Sequence, residues 1–397
     1  MKPTSSFLSR LSESATLAMT RRSRELSSKG LDIINLSLGE PDFDTPDYIK
    51  EAAKEGIDQN YTHYMPVNGY PDLREAICKK FKRDNNIVYT PDQIVVSTGA
   101  KQSLVNVILG LVDEGDEVIL IAPYWVTYLE QIKMVKGNAV VVQTSIEDDY
   151  KITAEQLREA ITSKTKLLIL NSPSNPTGSI YSKEELSKIA QVLKQNPHVY
   201  IISDEIYEHI SYDEKHVSLA SDPDLYDRVI TVNGVAKAFA MTGWRIGFLG
   251  APLWIAQACT KIQGQFTSGA SSIAQRAALE AVSEDPDRIK GMVGIFHKRR
   301  DLMLSLLNEI EGMITNVPGA AFYIYPDVSA FYGRSFNENT INNSTDLCNF
   351  LLEVGHVALV PGEAFGTDKH LRISYAASEE VIIESCKRIK ESLSLLH

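Results

Sequence analysis

The stretch Ile94-Val95-Val96-Ser97-Thr98-Gly99-Ala100-Lys101-Gln102-Ser103 reads as a buried strand, a glycine turn and the opening of a helix over 101–111. Three consecutive β-branched residues, with no polar alternation, suit a strand covered on both faces. Where a helix starts, unpaired N–H groups and the positive end of the dipole point the same way, so Gly99, Ala100 and Lys101 mark an anion site, above all for phosphate. Outward from this turn the pattern repeats. Apolar runs at 117–121, 139–143, 166–170, 200–203 and 228–232 are interleaved with helical periodicity at 153–162 and 182–195. That alternation predicts βαβ units and a mainly parallel sheet, with ligands collecting at the carboxyl ends of its strands.

Helices are expected at 252–264, 271–284 and 287–309. Beyond them, strands near 321–325, 357–360 and 371–375 with helices at 344–354 and 378–394 read as a smaller α+β unit. The N-terminal part joins it, with a helix over 8–30 closed by Gly30 and an extended run at 33–36; a helix over 46–58, opened by Thr45-Pro46, begins the larger unit. The expected division is 46–289 against 1–45 plus 290–397. Residues 337–343, rich in asparagine, read as a mobile surface excursion.

A chain of 397 residues is long for one core, so two domains are the natural prior. The formal net charge of −11 argues against a nucleic-acid surface. Four widely spaced cysteines, without a Cys/His cluster, predict reduced thiols and no metal site. No apolar run reaches the ~20 residues that span a bilayer, and the first residues lack the apolar core of a signal peptide. The cytoplasm is the expected compartment.

Several residues at expected strand ends carry chemistry. Lys237, between Ala236 and Ala238, has no carboxylate beside it in sequence; crowding lowers its pKa and frees an amine able to form a Schiff base or move a proton. Asp204 closes the apolar run Ile201-Ile202-Ser203, where a carboxylate is expensive unless paired, and a protonated ring nitrogen is a natural partner. Tyr207 lies one helical turn further on, and Glu205 is expected to face elsewhere. Trp125, after Ala122-Pro123-Tyr124, is placed to stack on an aromatic ring. Asn171-Ser172-Pro173-Ser174-Asn175-Pro176-Thr177-Gly178 is too rich in turn formers to extend a strand. Arg372 offers a rigid fork of donors suited to a carboxylate.

Gly234-Val235-Ala236-Lys237 followed by Met241-Thr242-Gly243-Trp244-Arg245-Ile246-Gly247 resembles the lysine motif of class I pyridoxal-phosphate-dependent aminotransferases, nearest to the bacterial aspartate aminotransferase subgroup (Ib). The similarity runs from about Leu8 to the C-terminus. It implies the fold-type I transferase architecture, a seven-stranded, mainly parallel sheet in a large domain beside a smaller α+β domain. It implies pyridoxal 5'-phosphate held on Lys237, with Asp204 at the ring nitrogen, Asn175 and Tyr207 at the phenolic oxygen, and Trp125 on the ring. Arg245, Gly99, Ala100, Lys101 and Tyr64 take the phosphate, Tyr64 from the second subunit of a homodimer with composite sites. The substrate α-carboxylate goes to Arg372, Asn175 and Gly39. Lys101, with Ser14 and Thr16, receives the distal carboxylate of aspartate or glutamate. The implied reaction passes the amino group of L-aspartate to 2-oxoglutarate by ping-pong kinetics; the alternative is the same fold acting on aromatic or neutral amino acids or on prephenate.

Two positions depart from the family pattern: Ala236 and Gly234 stand where relatives often carry phosphate-binding serines, and Ser12 where prephenate-active members tend to carry lysine. Cis bonds are expected at Ala122-Pro123 and Asn175-Pro176. A dehydrogenase should show G-x-G-x-x-G in the first turn, and Thr98-Gly99-Ala100-Lys101 does not match. A transcription regulator with an aminotransferase-like domain should add a DNA-binding module, which the acidic charge and the early start of the resemblance oppose.

Overall fold

The structure, a computed structural model, describes residues 4–397. Its centre is a seven-stranded sheet. In chain order the strands are β1 (Ile94–Thr98), β2 (Glu117–Ala122), β3 (Asn138–Gln143), β4 (Thr165–Asn171), β5 (Tyr200–Asp204), β6 (Val229–Gly234) and β7 (Ile246–Gly250). Across the sheet they run β1-β7-β6-β5-β4-β2-β3. All neighbours are parallel except the two pairs made by β7, which is antiparallel to β1 and β6. Alternate side chains serve two layers: Val96, Ile119, Leu168 and Ile201 enter one cluster, and Val95, Val118, Leu167 and Ile202 the other. Such double covering is why these strands read as continuous apolar runs.

The helices that cover and extend the sheet are α1 (Ala15–Ser28), α2 (Asp47–Asp58), α3 (Pro71–Asn85), α4 (Ala100–Leu111), α5 (Thr127–Met134), α6 (Ala154–Ala160), α7 (Lys183–Lys194), α8 (Leu253–Phe266), α9 (Ser272–Ser283), α10 (Lys290–Leu307), α11 (Ser344–Glu353) and α12 (Glu379–Leu393). Helices α6 and α7 begin with capping boxes at Thr153 and Ser182. None of the described helices is long and apolar enough to cross a membrane.

A third apolar cluster draws on Met19 and Leu36 and on Phe296 through Leu396, around a three-stranded sheet of Val360–Pro361, Leu371–Ser374 and Tyr323–Ile324. Strand Ile34–Asn35 pairs in parallel with Val357–Ala358, which ties the N-terminal run to this cluster.

Several expectations need correction. The helix expected over 8–30 is a single turn at Leu8–Arg10 and then α1, because Leu11 and Ser14 adopt extended backbone. Glu130 Oε2 accepts the Ser12 N–H at 2.7 Å, drawing the intervening chain toward α5. Within the asparagine-rich segment, Asn339–Thr340 pair with Ser335–Phe336 as a short antiparallel surface hairpin. The cis bonds are Ala122-Pro123, as expected, and Ser172-Pro173 in place of Asn175-Pro176. The reversal comes directly after β4, where Asn171 Nδ2 caps the Pro173 carbonyl at 3.1 Å. Helices α3 and α5 and strand β7 had no counterpart in the sequence reading.

Candidate active site

The carboxyl ends of β1, β2, β4, β5 and β6 share one edge of the sheet, and β7 starts there because it runs the other way. Above that edge lies a cleft of about 350 Å³. It gathers thirteen of the predicted residues: Ser14, Thr16, Gly39, Gly99, Ala100, Lys101, Trp125, Asn175, Asp204, Tyr207, Lys237, Arg245 and Arg372. Tyr64 is not among them. It is 98% exposed, in an open depression beside Met65 and Ser271.

Lys237 follows β6 and is held in apolar surroundings by Ala236 and Ala238, both buried. Its Nζ donates to the Gly39 carbonyl and lies 5.6 Å from the Tyr207 ring centre. Burial, reinforced by the Arg372 charge, pulls its ammonium down to about 8 from the ordinary 10.5. Asp204, at the end of β5, is 3% exposed. Tyr128 Oη donates to its Oδ2 at 2.7 Å, and the Ile206 N–H lies 3.3 Å from Oδ1. These hydrogen bonds only partly offset burial, which pushes the carboxyl up to about 6. A buried acid in that state favours a cationic partner. Its neighbour Glu205 points the other way, as expected, and accepts hydroxyls from Ser203 and Ser218 with His216 Nε2 at 3.1 Å.

Asn175 is positioned by Asn171, whose Oδ1 accepts the Asn175 N–H at 2.8 Å while its Nδ2 reaches the Asp204 carbonyl at 2.9 Å. The Asn175 Oδ1 in turn accepts Arg372 Nη1 at 3.0 Å, and Arg372 Nη2 donates to the Ser37 carbonyl at 2.5 Å. The guanidinium stands 4.7 Å above the Tyr323 ring, and burial lowers its pKa. Arg372 is thus a buried cation with no carboxylate partner among the described residues, oriented but not neutralised.

At the other end of the cleft, three backbones meet. A Cβ on Gly247 would come within 2.1 Å of Ala100 N, and one on Gly99 within 2.5 Å of Arg245 Nη2. Glycine at both places lets the start of α4 rest directly on β7 and under the Arg245 guanidinium. Gly99 (φ 77°) and Arg245 (φ 56°) are both left-handed. For arginine that backbone costs about 1–3 kcal/mol, a strain typical of ligand clamps. Arg245 Nη1 is steadied by the Thr242 carbonyl at 2.9 Å. Lys101 leans over Trp125, its Nζ 4.9 Å from the ring centre, and Trp125 meets Tyr128 edge-on. Partial burial, then the Arg245 charge, lowers the Lys101 pKa. Lining basic groups outnumber the acidic Asp204 and Glu40, so the cleft suits an anionic ligand.

Sequence reasoning missed Tyr128, Asn171, Thr242 and Tyr323. Tyr128 sits three residues after Trp125 at the start of α5, and Asn171 opens the turn that delivers Asn175; both spacings were available as signals. Tyr323 lies in the apolar run Ala320-Ala321-Phe322-Tyr323-Ile324-Tyr325, where nothing separates it from core.

Residues 31–389 match the family model described as aminotransferase class I and II. The aspartate/prephenate aminotransferase of Cereibacter sphaeroides is 46% identical over 386 residues, spanning 96% of each chain. The solved aspartate aminotransferase of Rhizobium meliloti superposes with a TM-score of 0.96 at 40% identity, covering 100% of both chains. That of Thermus thermophilus, solved with maleate, superposes with a TM-score of 0.92 at 38% identity, over 99% of this chain and 100% of its own.

Proposed function

The chain belongs to the class I and II aminotransferases, a family that works with pyridoxal 5'-phosphate, and we propose that it passes amino groups from L-aspartate to 2-oxoglutarate. The observation that carries this reading is the shared cleft: a buried lysine with a lowered pKa, and a buried carboxylate and a buried arginine neither of which has an ion-pair partner among the described residues. Each is unfavourable alone, and one bound cofactor–substrate pair would neutralise the last two.

The residues present fit pyridoxal 5'-phosphate. Gly99 and Gly247 let the start of α4 pack against β7 directly beneath Arg245, which brings the helix N-terminus and the guanidinium together. Arg245 and the first N–H groups of α4 at Ala100 and Lys101 would hold the phosphate. Asp204 would meet the ring nitrogen, Asn175 and Tyr207 the phenolic oxygen, and Trp125 a ring face; Lys237 would carry the group covalently. The cofactor, when bound, supplies an electron sink for the carbanion at the substrate α-carbon.

The chain's own residues then divide the work. Arg372 and Asn175, with the Gly39 backbone, fix the α-carboxylate and so direct the α-hydrogen toward Lys237. Lys237 Nζ, whose ammonium is lowered to about 8, takes that proton and later returns it, acting as base and then acid. Amino donor and 2-oxo acceptor use the site in turn, which gives ping-pong kinetics. Lys101, with Ser14 and Thr16 from the start of α1, receives the distal carboxylate. The maleate bound by the Thermus relative is likewise a dicarboxylate.

Tyr64 completes the phosphate site of a second copy across a two-fold dimer, and its exposure in the single chain supports that reading. The separate apolar clusters support a large domain at 46–289 and a small one at 1–45 plus 290–397. Prephenate as a second acceptor is favoured by the Cereibacter relative's name, although Ser12 holds the position where a lysine is expected for that activity. The test is turnover of the purified enzyme with aspartate against 2-oxoglutarate and prephenate, oxaloacetate release being read in a coupled assay. Turnover with 2-oxoglutarate is expected; its absence, in protein carrying the cofactor, would overturn the assignment.

A further inference from the structure

Tyr323 touches both the carboxylate arm and the phenolic arm of the cleft, through Arg372 and Tyr207. Its hydroxyl lies 2.9 Å from the Tyr207 hydroxyl, and the two rings meet edge-on at 5.8 Å and 82°. Its ring is the floor beneath the Arg372 guanidinium, 4.7 Å away. Its hydroxyl also abuts Gly39, where an added Cβ would come within 2.3 Å of it. Tyr323 itself is wholly buried. A tyrosine hydroxyl in such a place needs a partner, and Tyr207 is the one it has.

We propose that Tyr323 is a positioning residue whose hydroxyl donates to Tyr207, turning the Tyr207 proton toward the cleft, while its ring holds the Arg372 fork level. This rests on the reading that Tyr207 serves the phenolic oxygen of the cofactor. If the Tyr207 proton is needed there, its oxygen must accept from elsewhere, and Tyr323 is the donor within reach. A donor that is itself hydrogen-bonded is polarised, which strengthens its own donation. The hydroxyl therefore acts on the phenolic side only, and the ring on the carboxylate side only.

Tyr323→Phe separates the two, since it keeps the ring and removes the hydroxyl. Cofactor-loaded wild type, Tyr323→Phe, Tyr207→Phe and the double variant would be titrated by visible absorbance, with melting temperatures recorded alongside. Removing a donor to the phenolic oxygen raises the pH at which the band changes, because the proton shared there is held more tightly. Tyr207→Phe is expected to shift that midpoint most, and Tyr323→Phe to raise it by roughly 0.2–0.5 unit, since cooperative strengthening is a fraction of one hydrogen bond. The double variant should match Tyr207→Phe alone, as expected of groups acting in series. Maleate affinity should stay within about twofold in Tyr323→Phe, which keeps the ring beneath Arg372.

A midpoint that moves in Tyr207→Phe but not in Tyr323→Phe would overturn the proposal and leave the Tyr207 reading standing. No movement in either variant would overturn both. Additive shifts would make Tyr323 an independent contributor, and a tenfold loss of maleate affinity would assign its hydroxyl to the carboxylate site; each contradicts the proposal.

Discussion

Replacing Asp204 with asparagine should act in opposite directions on the stability of the cofactor-free fold and on its affinity for the cofactor. The carboxyl stands at about 6 in the fold against 3.8 ordinarily, because burial opposes its charge more than Tyr128 supports it. For an acid whose folded pKa is raised, the ionised form is the disfavoured one. The penalty is therefore absent below about pH 3.8, grows through the interval, and is complete above about pH 6. Roughly two units correspond to an upper bound of about 3 kcal/mol above that pH. Asparagine has no charge to desolvate and can still accept from Tyr128, so the cofactor-free variant should gain about 1–3 kcal/mol at pH 7.5. Near pH 5 the gain should shrink by roughly half. The effect on cofactor affinity has the opposite sign, since the variant lacks the anion that the ring nitrogen requires: dissociation should rise tenfold or more, about 1.4 kcal/mol, which offsets much of that gain in the loaded protein. Urea unfolding of both forms at the two pH values, with a cofactor titration, reads every term. A cofactor-free variant less stable than wild type at pH 7.5 would refute the reasoning, because the carboxylate would then be compensated within the fold.

Lys101→Ser should lower kcat/KM for aspartate by about 10- to 30-fold and leave alanine nearly unchanged; a cation braced on Trp125 falls between an exposed pair and a fully buried one, about 1.4–2 kcal/mol. An equal fall for all substrates would assign Lys101 to the phosphate alone. Mixing Lys237→Ala with Tyr64→Phe under conditions of subunit exchange should restore activity, since mixed dimers contain one site with neither lesion; no recovery would count against a shared site. In the cofactor-free enzyme, uptake of pyridoxal 5'-phosphate should accelerate as pH rises with a midpoint near 8, where half of Lys237 is the free amine, and level off above it. A midpoint near 10.5 would mean an unperturbed lysine.

Much of this site was legible because strand ends are. A buried parallel strand advertises itself as an apolar run, and the polar residue that ends it, Asp204 after Ile201-Ile202-Ser203, is conspicuous against it. Strand β7 escaped for the opposite reason. Its Gly247 and Gly250 lower strand propensity, yet a side chain at either would strike Ala100 or Tyr89 within 2.1–2.4 Å. The glycines that make close packing feasible are what hide the strand. The break before α1 depends on a contact between Ser12 and Glu130, 118 residues apart, which local periodicity does not register. Tyr128 and Tyr323 look like core aromatics, and only three-dimensional placement shows one hydroxyl on Asp204 and the other on Tyr207.

The central claim is that Lys237 carries the cofactor. Borohydride reduction of the loaded enzyme, followed by proteolysis and mass mapping, tests it without relying on turnover. The label is expected on the peptide containing Lys237 and nowhere else, and Lys237→Ala should take up none. Stable label on Lys101 or another lysine, or an active enzyme whose Lys237 stays unmodified, would contradict the account.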